Sequence, residues 1–337
     1  GTAALPGGCR RIVWDPTLDH PNRFFPELKF YLSVISTNVE PDYLVINLVD
    51  GDIEYKDEYF AEEVNADLYK TEKMAFRYIP PGTFTMGIEG SGKATTLTKG
   101  FYMGVFEVTQ EQWRYVTGGY PGSRFTAARE MRPAETVSYN DIRGTSAGTN
   151  WPAGSSVDTN SFLGILRSRT LIDELDLPTE AQSEYACRAG TTTYYSDGEA
   201  AAPNDGVSLN TGESNAFINV LGRYKYNGGN VWTGSKWDLA PVASGPANGT
   251  AIVGSYPPNA WGLYDVHGNV HEWVLDRYAA SLTGGVDPVG AAVGSSRVER
   301  GGSWNHAASS CRSAYRYSNA PSFRSYNNGF RLVRTLP

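Results

Sequence analysis

The sequence predicts an α+β domain with short strands, few helices and long irregular loops, preceded by a small β-rich N-terminal module. Three observations carry this. Apolar runs are short and alternate in the manner of half-buried strands. Three helix starts are each marked by a capping residue. Residues 191–260 form a tract of Gly, Asn, Ser and aromatics with no sustained period. With 337 residues, 40% of them hydrophobic, the chain is long enough to bury a real core and too apolar to be disordered.

The module is expected over residues 1–72. There "LKFYLSVIS" and "DYLVINLVD" read as strands, and "DGDIEYKDEYFAEEVNADLYKTEK" reads as an acidic loop or solvated edge. The main domain is expected over 73–337, opening with "FRYIPPGTFTMG" as strands around a Pro-Pro-Gly turn. In "KGFYMGVFEVTQEQWRYVTGG" the first half is strand-like. Thr109 is then an N-cap and Gln112 completes a capping box, for a helix to about Val116 that stops at Gly118-Gly119. "SYNDIRG" starts a second helix, capped by Ser138 or Asn140. Apolar positions at 162, 163, 165, 166, 171 and 172 fit a helix, against the cost of Gly164. "LPTEAQSEYACRAG" gives a helix capped by Thr179, with Gln182 at the box position and Gly190 at its end. The 191–260 tract is too long to be structureless inside a compact domain unless it is tethered or functional. The remainder returns to strand and turn, with "FRLV" as a closing strand.

Composition excludes several functions. With 29 basic and 36 acidic residues the net charge is −7, the wrong balance for a nucleic-acid binder. No apolar run reaches membrane-spanning length, so no membrane insertion is expected. Cys9, Cys187 and Cys311 form neither a disulfide framework nor a zinc spacing. No signal peptide is visible in "GTAALPGG", while the abundance of Gly, Tyr, Trp, Ser and Asn leans towards an extracellular, cell-surface or virion setting. In "DVHGNVHEW", His267 and His271 would share a face on a helix, but Gly268 and Asn269 argue for a turn. Asp265 and Glu272 supply carboxylates around that turn. They suit either a calcium ion or the capping of backbone N–H groups.

Taken in order, "IPPGTFTMG", "FEVTQEQW", "RPAETVSYNDI", "LPTEAQSEYACRAG", "NAWGLYDVHGNVHEWVLD", "RVERGGSW" and "NGFRLVR" resemble the formylglycine-generating-enzyme-like (sulfatase-modifying-factor) superfamily over roughly residues 76–337. The resemblance implies a C-type-lectin-like fold. It implies a structural calcium held by the Asp265 and Glu272 side chains and the Gly268 and Val270 carbonyls. The family's enzymes use two copper-binding cysteines upstream of the terminal Gly-Phe-Arg. Counted back from Gly329, those positions fall at about Ala308 and Ser313, and Cys311 lies between them, out of register. One thiol cannot make a two-thiolate copper site. A second branch ligates iron through spaced histidines on a helical domain, and this chain has only His20, His267, His271 and His306. No redox cofactor is therefore expected.

The C-terminal stretch "RGGSWNHAASSCRSAYRYSNAPSFRSYNNGFRLVR" has the composition of a binding surface. Tyr offers large contact at low entropy cost, Ser and Asn adaptable hydrogen bonds, and Arg forked anchors. The segment from about 303 to 328 resembles the variable region of diversity-generating-retroelement proteins. Their adenine mutagenesis of Asn codons never yields Lys, Gln, Glu, Met or Trp, and none of these occurs from Asn305 to Asn328. The expected contact residues are Asn305, His306, Ser309, Ser310, Ser313, Tyr315, Tyr317, Ser318, Phe323, Ser325, Tyr326 and Asn327. Trp304 is either a wall of the site or core, and Arg316, Pro321 and Arg331 are expected to be framework. The function implied is non-catalytic binding of a macromolecular surface ligand, protein or glycan. A plain lectin-like pseudo-enzyme and a metal-dependent oxidase or sulfoxide synthase remain the alternatives.

Overall fold

A computed structural model describes residues 40–88, 91–145, 156–198, 216–228, 230–232, 237–239 and 249–336. The chain divides into two compact units, Gly1–Pro41 and Asp42–Pro337. Only residues 40–41 of the first are described, so the expected strand "LKFYLSVIS" lies outside the described residues.

The second unit opens with β1 (Tyr43–Asn47) and β2 (Ile53–Lys56). They pair antiparallel with each other, and β1 pairs in turn with β3 (Lys73–Ile79). This places "DYLVINLVD" in the main sheet rather than in a separate module. The period of a strand explains why. Leu44 and Ile46 enter the central core, whereas Tyr43 and Val45 face a second cluster with Phe60, Val64, Tyr69, Phe106 and Tyr264. The acidic segment expected to be solvated thus covers the other side of the sheet. Two 3₁₀ turns, Glu58–Glu62 and Asp67–Lys70, turn Phe60 and Tyr69 inward. Each such buried side chain contributes roughly 1.5–3 kcal/mol, so the segment is held despite its charge.

The main sheet is completed by β6 (Phe101–Gly104), β7 (Leu175–Asp176) and β15 (Val333–Thr335), in the order β2-β1-β3-β6-β15-β7. All its pairings are antiparallel. A smaller sheet, β11-β5-β4, joins β4 (Gly82–Met86), β5 (Lys93–Leu97) and β11 (Gly285–Val286).

The capped helices form where the sequence places them. Helix α1 (Gln110–Thr117) has a capping box between Thr109 and Gln112 and ends on Gly118 at φ 85°. For α2 (Tyr139–Arg143) Ser138, not Asn140, is the cap, and Asp141 closes the box. Helix α3 (Phe162–Thr170) keeps Gly164 because a Cβ there would lie 2.1 Å from the Asp158 carbonyl oxygen. Helix α4 (Glu180–Arg188) carries the Thr179–Gln182 box and is buried along its whole length. Within the long tract the described residues include helix α5 (Ala216–Leu221) and the hairpin of β8 (Asn230–Trp232) and β9 (Trp237–Leu239).

The last sheet, β13-β12-β10-β14, carries the C-terminal segment. It comprises β10 (His271–Arg277), β12 (Arg297–Arg300), β13 (Tyr317–Asn319) and β14 (Asn328–Gly329). The expected strand "FRLV" is shifted: β14 ends at Gly329 and β15 begins at Val333. Phe330 and Arg331 instead plug the core between the two sheets. No helix among the described residues is long and apolar enough to cross a membrane.

Candidate functional site

The C-terminal segment enters through Gly301 and Gly302, at φ 87° and 75°. Glycine adopts this left-handed backbone without steric cost. At Gly302 a Cβ would also come within 2.6 Å of Cys311 Sγ. Trp304 settles as core, 1% exposed, with its edge against Phe125 and its indole N–H donating to the Tyr326 carbonyl at 3.1 Å. It thereby ties the start of the segment to its end.

The rest of the backbone is pinned from outside. Tyr195 OH donates to the Ala308 carbonyl at 2.9 Å, and the Ser313 N–H donates to Tyr194 O at 2.8 Å. Arg300 donates to the Ser313 carbonyl at 2.9 Å and pairs with Glu184 of α4. Arg316 forks onto Glu180, also of α4, and donates to Ala279 O at 2.7 Å. Asn140 and Thr136 donate their N–H groups to the Pro321 and Ser325 carbonyls. Two buried carboxylates of α4 therefore hold this region, Glu184 through Arg300 just before the segment and Glu180 through Arg316 within it, while Arg324 pairs with Asp141 of α2.

On this pinned backbone the side chains sort into two sets. Tyr317 and Phe323 are 42% and 41% exposed. Asn305, His306, Ser309, Ser310, Tyr315, Ser318, Ser325 and Tyr326 are half-buried along the same segment. Trp304, Ser313 and Asn327 are buried, against the expectation that Ser313 and Asn327 contact ligand. Ser313 points inward beside Cys187, and Asn327 Nδ2 donates to Asn305 Oδ1 at 3.1 Å. Arg316 and Arg331 are framework, as expected; Pro321 is half-buried and anchors α2 through its carbonyl. The sequence reading missed Ser322 and Arg324, both exposed. It also missed Arg124, an exposed residue of the loop after α1, whose guanidinium lies 4.8 Å from the Tyr326 ring centroid. The alphabet of the segment could have flagged the first two; only folding brings Arg124 to it.

The floor beneath this surface holds carboxylates kept unusually protonated. Glu299 accepts from Asn319 and Asn328, yet burial pushes its pKa up to about 7. Burial raises Glu135 to about 7 and, with the neighbouring Glu180 charge, Asp276 to about 8. Because the folded state holds these protons more tightly than the unfolded state, their contribution to stability is full only below the ordinary carboxyl pKa of about 4 and is lost progressively as pH rises through about 7 to 8. The melting temperature is therefore expected to be higher at pH 5.5 than at pH 8. A melting temperature that rises across that interval would contradict the assignment.

The positions counted back for the family's cysteine pair carry no thiol. Ala308 and Ser313 stand at the counted-back cysteine sites, both buried. Cys311 is a buried free thiol, pushed up to about 12 by burial. Cys187 is also free, 4.0 Å from His267 Nδ1. That nitrogen bonds the Cys311 carbonyl at 2.8 Å, which requires it to carry the proton, and Nε2 accepts from Ser196 N–H at 3.0 Å. His267 is thus a cross-link between loops; burial disfavours its charged form, but the Cys187 thiol beside it raises its pKa, and His267 in turn lowers that of Cys187.

The implied calcium set fits in part. Asp265 Oδ1 is buried and meets no donor, while Oδ2 accepts from Gly254 N–H at 2.6 Å. Asp265 has its pKa pushed up to about 6 by burial, with the Glu272 charge adding to the rise, and Glu107 feels both acids. Against three carboxylates stands the Arg331 guanidinium, which forks onto Glu272 at 2.7–3.1 Å. An oxygen-seeking divalent cation at Asp265 would relieve the imbalance. Glu272 is engaged by Arg331, and among the described residues no three His, Cys, Asp or Glu side chains converge on one point. What the side chains themselves offer is therefore Asp265, with Glu272 shared.

Residues 62–336 match the sulfatase-modifying factor enzyme 1-like domain family. The formylglycine-generating enzyme of Mus musculus is 30% identical over 294 residues, covering 76% of this chain and 73% of the mouse protein. That of Streptomyces coelicolor is 38% identical over 166 residues, covering 47% and 46%. Among solved structures, Treponema denticola variable protein 1 superposes with a TM-score of 0.52 at 24% identity, over 78% of this chain and 95% of that one. PvdO from Pseudomonas aeruginosa does so with a TM-score of 0.52 at 25% identity, over 78% and 94%.

Proposed function

Since the chain belongs to the sulfatase-modifying factor enzyme 1-like family and has the C-type-lectin-like α+β fold of its structural neighbours, we propose that it is a binder built on an enzyme scaffold. In this reading it is the variable protein of a diversity-generating retroelement. It displays the 303–328 segment to a macromolecular ligand, protein or glycan, outside the cell or on a virion, and performs no reaction there. One observation carries the reading. The segment's backbone is fixed by buried partners at both ends and along its length, while Tyr317 and Phe323 stand out from it. A surface whose main chain is held independently of its outward side chains tolerates their replacement. The residue alphabet of the segment supports the retroelement origin.

The test is a display library in which positions 305, 306, 309, 310, 315, 317, 318, 323, 325 and 326 are randomised within that alphabet. Most members should melt close to the parent, and selection against an immobilised protein should return binders. General loss of folding would contradict the reading. So would conversion of cysteine to formylglycine in a sulfatase-type peptide supplied with copper, the result the enzyme alternative requires.

Calcium, where bound, is held by Asp265 and the Gly268 and Val270 carbonyls, with Glu272 shared with Arg331. After chelation, calcium at 100-fold over its Kd is expected to add about 2.7 kcal/mol of stability. Asp265→Asn should abolish the gain, and an unchanged melting curve on adding calcium to the parent would remove the ion from the account.

A further inference from the structure

His271 is the outstanding unexplained group beneath the binding surface. It is 1% exposed, no well-formed hydrogen bond reaches Nδ1 or Nε2, and the Arg300 backbone is the one polar group that acts on the ring from close by. A buried imidazole bonded this poorly is costly, and such a group commonly marks an absent water or ion. A second imidazole lies against it: the His306 ring is centred 4.6 Å away at 68°. Tyr317 covers the pair, stacked on His271 at 5.5 Å and 17°.

The bonding around His306 has the form of a metal ligand's outer shell. Ser303 Oγ lies 2.6 Å from His306 Nδ1 and 2.9 Å from Asn305 Oδ1. Asn305 Oδ1 can only accept, so the hydroxyl proton goes to it, and Nδ1 of His306 must then donate to Ser303 Oγ. This fixes the tautomer with the lone pair on Nε2, as second-shell partners do for ligating histidines. Asn305 Oδ1 is itself held by Asn327 Nδ2 at 3.1 Å.

From this geometry we propose that His271 and His306 bind a borderline divalent ion, Zn²⁺, under Tyr317. Imidazole selects zinc over the oxygen-seeking cations suited to Asp265. No third His, Cys, Asp or Glu joins the pair among the described residues. The remaining coordination positions are therefore open to water or to a carboxylate of the docked ligand. The Lys225 ammonium acts on His306 electrostatically and opposes the ion, so the affinity is that of a two-histidine site working against one charge. His271 belongs to a strand of the scaffold, whereas His306 lies in the segment read as variable. If that reading holds, the site is a property of this variant, created when the variable position supplies the second imidazole.

The experiment is a calorimetric titration of the full chain with zinc chloride in excess calcium, which fills any oxygen site. The parent should take up one saturable equivalent. His306→Asn should weaken binding about ten-fold or more, His271→Gln should do the same, and Lys225→Gln should tighten it. His20→Asn is the control and should leave the affinity unchanged. Thermal melts confirm that each variant is folded; if His271→Gln is not, His306→Asn decides alone. Absence of saturable zinc uptake by the parent, or parental affinity in His306→Asn, overturns the proposal. Neither outcome bears on the binding role of the surface, which the display library tests separately.

Discussion

Arg331→Ala should cost the fold about 3–5 kcal/mol, a large part of the roughly 5–15 kcal/mol that holds an ordinary domain folded. Arg331 is 1% exposed, and its guanidinium makes bonds in every direction. It forks onto Glu272 and donates to the carbonyls of Gly104, Val105 and Tyr264 at 2.8–3.1 Å. Truncation leaves the buried Glu272 carboxylate without its partner, takes a donor from the Gly104, Val105 and Tyr264 carbonyls, of which Val105 keeps the Tyr264 N–H, and removes the cation that offsets Glu107 and Asp265. The loss should appear as a urea midpoint shift. Arg331→Lys should recover only part of it, since one ammonium cannot reproduce the fork. The double variant Arg331→Met with Glu272→Met should be closer to the parent than Arg331→Ala, because it removes both charges together. Destabilisation of under about 1 kcal/mol by Arg331→Ala would show that the pair is solvated and that this junction does not hold the sheets.

The second large effect separates scaffold from surface within one segment. Trp304→Ala is expected to cost about 3–5 kcal/mol, the range for removing a fully buried aromatic. It also leaves the Tyr326 carbonyl without its donor and Phe125 without its edge contact. Tyr317→Ala, thirteen residues further on in the same polar stretch, should change stability by no more than about 1 kcal/mol, since its ring is 42% exposed. Denaturant unfolding of the two single variants measures the contrast directly. Equal effects would mean that Tyr317 is structural, and the surface would lose its claim to be a replaceable one.

Much of the scaffold was legible in the chain because the deciding interactions are local. A Thr followed three residues later by Gln is a helix start that needs no distant partner, and Thr109 and Thr179 cap as their spacing indicates; at the second helix the structure chose Ser138 over Asn140. The candidate surface was legible in part: Tyr317 and Phe323 stand exposed as composition suggested, while Ser313 and Asn327 turned inward. Serine and asparagine are small and polar enough to serve on either side of a loop, so their identity does not reveal which side they take.

By itself, then, the sequence determined the capped helices and the restricted alphabet of the carboxyl-terminal stretch. Only the tertiary structure decided that the acidic early segment is a lid over the sheet, that α4 is buried throughout, and that Arg124 and His271 meet the C-terminal stretch. The physical reason is separation along the chain. Capping and turn energies act over three or four residues and are written in the local order, whereas burial depends on which remote surface arrives to exclude water.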